Sequence, residues 1–137
     1  MVYFIKMIGE KLFLGGSDDG RLIIVDARKQ EEKKYFSPME MLLLAAAGCT
    51  AIDVSHTLKK MRQDVRELTV EVDGERREEY PKIYKKVELV YKIKGVNIDR
   101  KKVERAVEMS LSKYCSESLT LKEAGADLTY KIEVEEV

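Results

Sequence analysis

Residues 41–49, MLLLAAAGC, limit the possible folds of this chain more than any other segment, because they carry no polar stripe. A helix that is apolar all round has to be covered on every side. One six-stranded sheet would cover a single face of it. The small residues at positions 45–48 would let a second backbone approach the other face closely. The segment therefore predicts an intertwined homodimer in which a partner subunit covers this helix.

The first third of the chain predicts three strands followed by the long helix. Strands are expected over residues 2–8, 11–14 and 21–27, and the turn cluster GGSDDG at 15–20 separates the second strand from the third. Ser37 suits a helix N-cap, Pro38 the first helical position, and Glu40 completes a capping box. Helix-compatible sequence then continues to about Met61.

The remainder of the chain alternates between strand and helix signals. Apolar and polar residues alternate over 68–72, over 87–93 and again over 128–134, which predicts three half-buried strands. Asp99 is a candidate cap for a second, amphipathic helix, and a short third helix is expected from Ser116 until before Gly125. The order βββ-α-ββ-α-(α)-β predicts a single α+β domain over residues 1–137, built on antiparallel sheet with a long buried central helix.

The charge balance excludes some partners and suggests a compartment. The 25 basic and 25 acidic residues cancel, so we expect no nucleic-acid partner, and the mixed run at 75–79 is interpreted as solvated surface. The N-terminus has no signal-peptide pattern, and the longest uncharged run, 41–52, is shorter than the roughly 20 residues of a membrane span. These features predict a cytoplasmic protein with no membrane partner. Its 36% of charged residues is a thermophile-like composition.

The two cysteines are the candidate reactive groups. Cys49 and Cys115 are 66 positions apart, so they form no CxxC loop, and either one alone is most simply a small buried hydrophobe. Cys115 directly precedes a helix start at Ser116, where the helix dipole favours a thiolate. Cys49 lies inside its helix, where Asp53 one turn later would raise its pKa. Any activating cation for Cys49 must come from elsewhere, for example from the partner subunit.

The only histidine extends a row of polar groups along the long helix. Cys49, Asp53 and His56 fall on one helical face, which invites a catalytic or metal-binding interpretation. Seven residues separate Cys49 from His56 by roughly 10 Å along the axis, beyond hydrogen-bond reach and beyond a shared zinc ion. We therefore predict no metal and no cofactor, and place His56 at the solvated end of the helix.

Two segments carry a resemblance to a known family. Residues 37–51, SPMEMLLLAAAGCTA, resemble the first-cysteine helix of the OsmC/Ohr family, and residues 113–119, KYCSESL, resemble its second-cysteine segment. Element order and cysteine placement agree over essentially the whole chain. Residues 37–41, 63–65 and 75–79 further suggest its YhfA-like branch. The resemblance implies a thiol peroxidase in an intertwined dimer.

The same resemblance assigns roles to residues. It implies that Cys49 attacks an organic hydroperoxide, that Cys115 resolves the sulfenic acid as a disulfide, and that a lipoylated or thioredoxin-like protein restores both thiols. The family places an Arg–Glu pair beside the first thiolate, but Met39 stands where the glutamate is expected. Glu40 follows it and points about 180° away from Cys49 on an ideal helix, which suits its capping role better.

No arginine of the sequence matches the family pattern clearly. Arg21 and Arg28 lie in the corresponding N-terminal region, and a surface role is the simpler interpretation of each. Thiolate support is accordingly predicted from Arg21, Arg28 or Glu40.

Two other functions compete with the peroxidase prediction. The first is a non-catalytic dimer that senses redox state or binds an apolar ligand. The second is a structural dimer in which the cysteines only pack. Peroxide consumption separates the peroxidase from both. Reversible oxidation of Cys49 and Cys115, or a co-purifying apolar ligand, separates the other two.

Overall fold

The computed structural model describes residues 1–137 as six strands, three α-helices and one π-helical segment. The chain divides into two compact units, residues 1–42 and 43–137. The first unit contains β1 (Tyr3–Gly9), β2 (Leu12–Ser17), β3 (Leu22–Asp26) and the start of α1 (Pro38–Lys60). The second contains the rest of α1, then β4 (Asp64–Arg76), β5 (Tyr84–Val96), α2 (Arg100–Met109), the π-helical segment (Ser110–Tyr114), α3 (Ser116–Glu123) and β6 (Asp127–Glu136).

Strands β1, β2 and β3 form an antiparallel sheet in that order. The prediction that β2 ends at residue 14 was wrong, because Gly15 and Gly16 continue the strand. A Cβ at Gly15 would lie 2.9 Å from Ile23 Cγ2, and one at Gly16 would lie 2.7 Å from the Phe4 ring. The two glycines therefore make room for side chains of the neighbouring strands, and the turn is confined to residues 18–20.

Helix α1 begins at the predicted capping box. The backbone N–H and the hydroxyl of Ser37 both donate to Glu40 Oε1, at 3.0 and 2.7 Å. The helix runs for 23 residues and ends at Lys60, close to the predicted limit. By length and composition alone α1 meets the requirements for crossing a membrane, a test that the core helices of soluble proteins also pass.

The second unit has its own three-stranded sheet, in the order β4-β5-β6. Strands β4 and β5 are antiparallel, whereas β5 and β6 are parallel. The predicted α+β architecture is confirmed, with two details that the sequence did not indicate: the six strands form two sheets, and β6 pairs parallel to β5. The helical connection between β5 and β6 is long enough for the crossover that parallel pairing requires. The alternating pattern of one strand does not specify which other strand it pairs with.

The core of the second unit lies between its sheet and two helices. Fully buried side chains come from α1, β5 and α2, and they form one cluster that includes Val54, Leu58, Leu89, Tyr91, Ile93, Val103 and Val107. This packing fixes the middle of α1 against β5. It thereby also fixes the positions of the other side chains on this part of α1, between Ala47 and Leu58.

The chain between α2 and α3 contains a feature that was not predicted. Helix α2 starts after the predicted cap, since the Asp99 side chain accepts a hydrogen bond from the Lys101 N–H at 3.0 Å. It then widens into the π-helical segment, and the Cys115 N–H donates to the Ser110 carbonyl at 2.7 Å. Cys115 is extended (φ −79°, ψ 97°) and forms the N-cap of α3.

Candidate dithiol site

The fold brings the two cysteines together. Cys49 Sγ, Cys115 Sγ and a carboxylate oxygen of Asp53 all lie within 4.8 Å of one another. Cys49 is half-buried on α1 and Cys115 is buried at the start of α3, and both are free thiols. Because 66 positions separate them, the contact depends on packing between elements and not on a local motif.

The thiol of Cys115 is held from two directions. It donates a hydrogen bond to the Ala46 carbonyl of α1 at 3.7 Å, and its sulfur lies 2.9 Å from the Ser118 hydroxyl. Since a thiol has one proton, the Ser118 hydroxyl is the donor in the second contact. These contacts keep Cys115 directed toward α1 and the neighbouring Cys49.

A buried chain of hydroxyls positions Asp53. The Ser110 hydroxyl donates to Asp53 Oδ2 at 2.9 Å, and Thr50 Oγ1 lies 2.8 Å from Ser110 Oγ and 2.7 Å from the Tyr91 hydroxyl. An ionised carboxylate only accepts hydrogen bonds, so Tyr91 donates to Thr50, Thr50 to Ser110 and Ser110 to Asp53. The π-helical segment brings Ser110 into this chain, and burial raises the pKa of Tyr91 to about 12.

Sequence reasoning missed Glu117, the carboxylate that contacts Cys49. The Cys49 thiol is hydrogen-bonded to Glu117, and this bond, burial and the neighbouring Cys115 together raise the pKa of Cys49 to about 12. The same bond from Cys49 lowers the pKa of Glu117. Asp53 was predicted to raise the pKa of Cys49, whereas the structure makes Glu117 the largest cause of the raised pKa. The only sequence signal for Glu117 was an acidic residue in the first turn of a helix that starts beside Cys115.

One oxygen of this carboxylate has no partner. Glu117 Oε2 is buried and makes no hydrogen bond within the chain. A buried acceptor without a donor costs about 1–3 kcal/mol, and more when it is charged. The site therefore contains a carboxylate whose second oxygen is available to a donor or a cation.

The three residues predicted to support the thiolate are each engaged elsewhere. Arg21 is exposed and pairs with Asp19 at 3.0 Å. Arg28 binds the buried Asp26 through two hydrogen bonds of 2.9 and 2.7 Å, which hold the pKa of Asp26 well below its usual range. Glu40 accepts from Ser37 and pairs with Lys33 at 3.2 Å. All these partners lie within residues 1–42, and a role at Cys49 stays a prediction.

His56 does not join the cysteines. Its side chain is exposed on the last turns of α1, as predicted. It lines an open depression with Lys59 and Gln63. Of the predicted polar row, Asp53 lies beside the thiols and His56 does not.

The fold and the site together define a class of protein. It is an α+β dithiol protein in which a free cysteine on a long helix lies beside a second free cysteine that is distant in sequence. The sequence profile of the OsmC-like protein family matches residues 31–131. Over 130 residues the chain is 41% identical to Protein YhfA of Escherichia coli strain K12, and 95% of each chain is covered. The chain belongs to the OsmC-like family.

Solved structures agree with this assignment. A hypothetical protein from Aquifex aeolicus VF5 superposes with a TM-score of 0.86 at 32% identity, over 99% of this chain and 96% of that one. An organic hydroperoxide resistance protein OsmC from Legionella pneumophila has a TM-score of 0.71 at 14% identity, over 97% of both chains. At that identity the Legionella protein shows the shared fold alone.

Proposed function

We propose that this protein is a thiol-dependent peroxidase that reduces organic hydroperoxides through a Cys49–Cys115 dithiol–disulfide cycle. The observation that carries the proposal is the approach of the two free sulfurs to within 4.8 Å, although 66 positions separate them. The sulfurs of a disulfide are about 2.0 Å apart, so the two thiols have to approach each other by at most about 2.8 Å to form the bond. The hydroperoxide-resistance name of the Legionella protein of the same fold supports the substrate class.

The cycle has three balanced steps. The Cys49 thiolate attacks the O–O bond of the hydroperoxide and, with one proton, yields the Cys49 sulfenic acid and an alcohol. The Cys115 thiol then attacks the sulfenic sulfur, forms the disulfide and releases water. An external dithiol, on a lipoylated or thioredoxin-like protein, takes over the disulfide by exchange and restores both thiols.

The first step needs a positive charge that stabilises the thiolate. Glu117 and Cys115 act in the opposite direction, since both raise the pKa of Cys49. We propose that Arg21 of the partner subunit supplies this charge. Its present bond to Asp19 is exposed and weak, whereas Arg28 would have to leave the buried Asp26.

A homodimer accounts for the apolar surface of the single chain. Leu42, Leu44 and Ile52 of α1 are 47%, 44% and 72% exposed, on a helix whose core face is buried. All seven residues of β1 are exposed as well, and most of them are large and apolar. Exposed apolar side chains on this scale mark interaction sites, and we propose that a second copy of the chain covers them.

Gly48 provides a test of the proposed dimer. It is exposed on α1, and nothing lies within 4 Å of an added Cβ, so the single chain tolerates a side chain there. We expect Gly48→Leu to shift the protein from about twice the 15.8 kDa chain mass toward one chain mass in sedimentation equilibrium. Ser112→Leu, at an exposed position outside α1, is the control and should leave the dimer intact. A wild-type monomer at all concentrations would contradict the proposal.

The function is tested by rapid mixing of the reduced protein with cumene hydroperoxide or hydrogen peroxide. We expect one disulfide per chain, formed faster with the organic peroxide, and no peroxide consumption by Cys49→Ser. Cys115→Ser should consume one equivalent and stop at a sulfenic acid that a dimedone probe labels. Oxidation at the rate of a free thiol, or unchanged in Cys49→Ser, would refute the peroxidase.

A redox-sensing dithiol is the second candidate, and one observation favours it. The raised pKa of Cys49, caused by Glu117, burial and Cys115, leaves the thiol almost entirely protonated at pH 7. Such a thiol oxidises slowly and suits a sensor better than an enzyme. Reversible disulfide formation without multiple turnovers in the presence of a dithiol reductant would favour the sensor.

A further inference from the structure

We propose that the reduced protein binds one thiophilic divalent cation, of which zinc is the example, through Cys49, Cys115, Asp53 and Glu117. The first three offer two sulfurs and a carboxylate oxygen within 4.8 Å of one another. Glu117 is hydrogen-bonded to Cys49 but lies outside this 4.8 Å group, and we propose that it moves onto the ion as the fourth ligand when the shared proton leaves. The prediction of no metal had weighed the cysteines with His56, whereas the structure puts two carboxylates beside them.

The spacing of the ligands fits a single ion. Two thiolates on one zinc ion, at 2.3 Å each in a tetrahedron, are roughly 3.8 Å apart. The observed limit of 4.8 Å exceeds this value by about 1 Å, so the two sulfurs need to approach by no more than that to share one ion. Cys49 and Asp53 are four residues apart on α1, an interval that puts both side chains on one face of the helix.

Glu117 supports the site independently of these distances. It accepts the thiol hydrogen of Cys49, so a proton now occupies the space between a sulfur and a carboxylate. Glu117 Oε2 is buried without a hydrogen-bond partner. A cation in place of the shared proton would bind both groups and would also satisfy that oxygen.

The hydroxyl groups next to Asp53 hold its carboxylate in place, as hydrogen-bond partners of metal ligands do. Ser110 donates to Asp53 Oδ2, and Thr50 and Tyr91 continue this chain into the core. Metal-binding carboxylates are commonly oriented by such hydrogen bonds. Two thiolates select a soft or borderline ion such as Zn²⁺ over Mg²⁺ or Ca²⁺.

Metal binding and disulfide formation exclude each other, because both use the same two sulfurs. Binding of the ion releases the two thiol protons. A hydroperoxide then oxidises the metal-bound dithiol, takes up two protons and yields the disulfide, free Zn²⁺, an alcohol and water. This last step rests on the proposed peroxidase function, whereas metal binding by the reduced protein does not.

The test is a zinc titration of the full-length, metal-free, reduced protein in competition with a chromophoric chelator. We expect one Zn²⁺ per chain with a Kd below about 1 µM. Co²⁺ serves as the second probe and should give the thiolate charge-transfer absorption of a tetrahedral site. The disulfide form of the wild-type protein should bind neither ion, and this comparison needs no substitution.

Four variants locate the ion. Cys49→Ser and Cys115→Ser should lose zinc binding and the cobalt absorption, and Glu117→Gln should weaken zinc binding at least about tenfold. Ser110→Ala removes the hydrogen bond to Asp53, together with the one that Ser110 accepts from Thr50, and should weaken zinc binding by about 10- to 100-fold. His56→Ala, on the same helix but exposed, is the control and should bind zinc as the wild type does. Circular dichroism confirms that each variant is folded.

Three results would overturn the proposal: no stoichiometric binding by the reduced wild type, equal binding by the disulfide form, or loss of binding in His56→Ala. Peroxide consumption by the metal-free protein is measured separately. Failure of the metal site and failure of the peroxidase are therefore distinguishable.

Discussion

Replacing Glu117 with glutamine is expected to make Cys49 markedly more reactive. The carboxylate accepts the thiol proton and repels the thiolate, and it is the largest cause of the raised Cys49 pKa. A neutral amide removes the repulsion, so we expect the Cys49 pKa to fall by at least about one unit. Each unit corresponds to 1.36 kcal/mol and to about ten times more thiolate at neutral pH.

The rate of alkylation of Cys49 by iodoacetamide, followed against pH by mass spectrometry of the Cys49 peptide, measures this change. In the wild type the rate should continue to rise with pH toward about 12, the Cys49 pKa. In Glu117→Gln the whole profile should move to lower pH. Glu123→Gln removes the same charge from an exposed position of α3 and should leave the profile in place. Coincident profiles for wild type and Glu117→Gln would contradict the contact.

Replacing Gly95 with alanine is expected to cause a large loss of stability. An added Cβ would overlap the backbone oxygen of Asp64 and would lie 2.6 Å from Ile98 Cδ1. A side chain can rotate away, but the Asp64 carbonyl belongs to β4, the strand paired with β5. Relief therefore requires the two strands to separate locally, and we expect a cost of about 3 kcal/mol.

Chemical denaturation of Gly95→Ala and of the wild type at equal concentration measures the loss in free energy of unfolding. Gly9→Ala is the matched control, since its added Cβ would meet only Leu12, at 3.7 Å, and we expect a change within about 0.5 kcal/mol. Equal stability of Gly95→Ala and wild type would show that the close approach of the strands is absent in solution. Because the proposed dimer also contributes to stability, both variants are compared over a range of concentrations.

Helices and strands were predictable where the signal is local. The capping box at Ser37 and the cap at Asp99 marked the starts of α1 and α2, because a cap depends on groups within one turn. Alternation of apolar residues located β4, β5 and β6 for the same reason. The end of β2 was misplaced, since Gly15 and Gly16 have the composition of a turn and only their neighbours across the sheet explain them.

Strand pairing and the composition of the site depended on the tertiary structure. The alternation in β6 is the same whether it pairs parallel or antiparallel, so the crossover through α2 and α3 decided its direction. Both cysteines could be named from the sequence through a family resemblance. Their approach to each other, and the contact of Glu117 with Cys49, required packing of α3 beside α1. Local sequence patterns predict the secondary structure of one segment. A site built from distant segments depends on the distances between them, which only the packing of the whole chain determines.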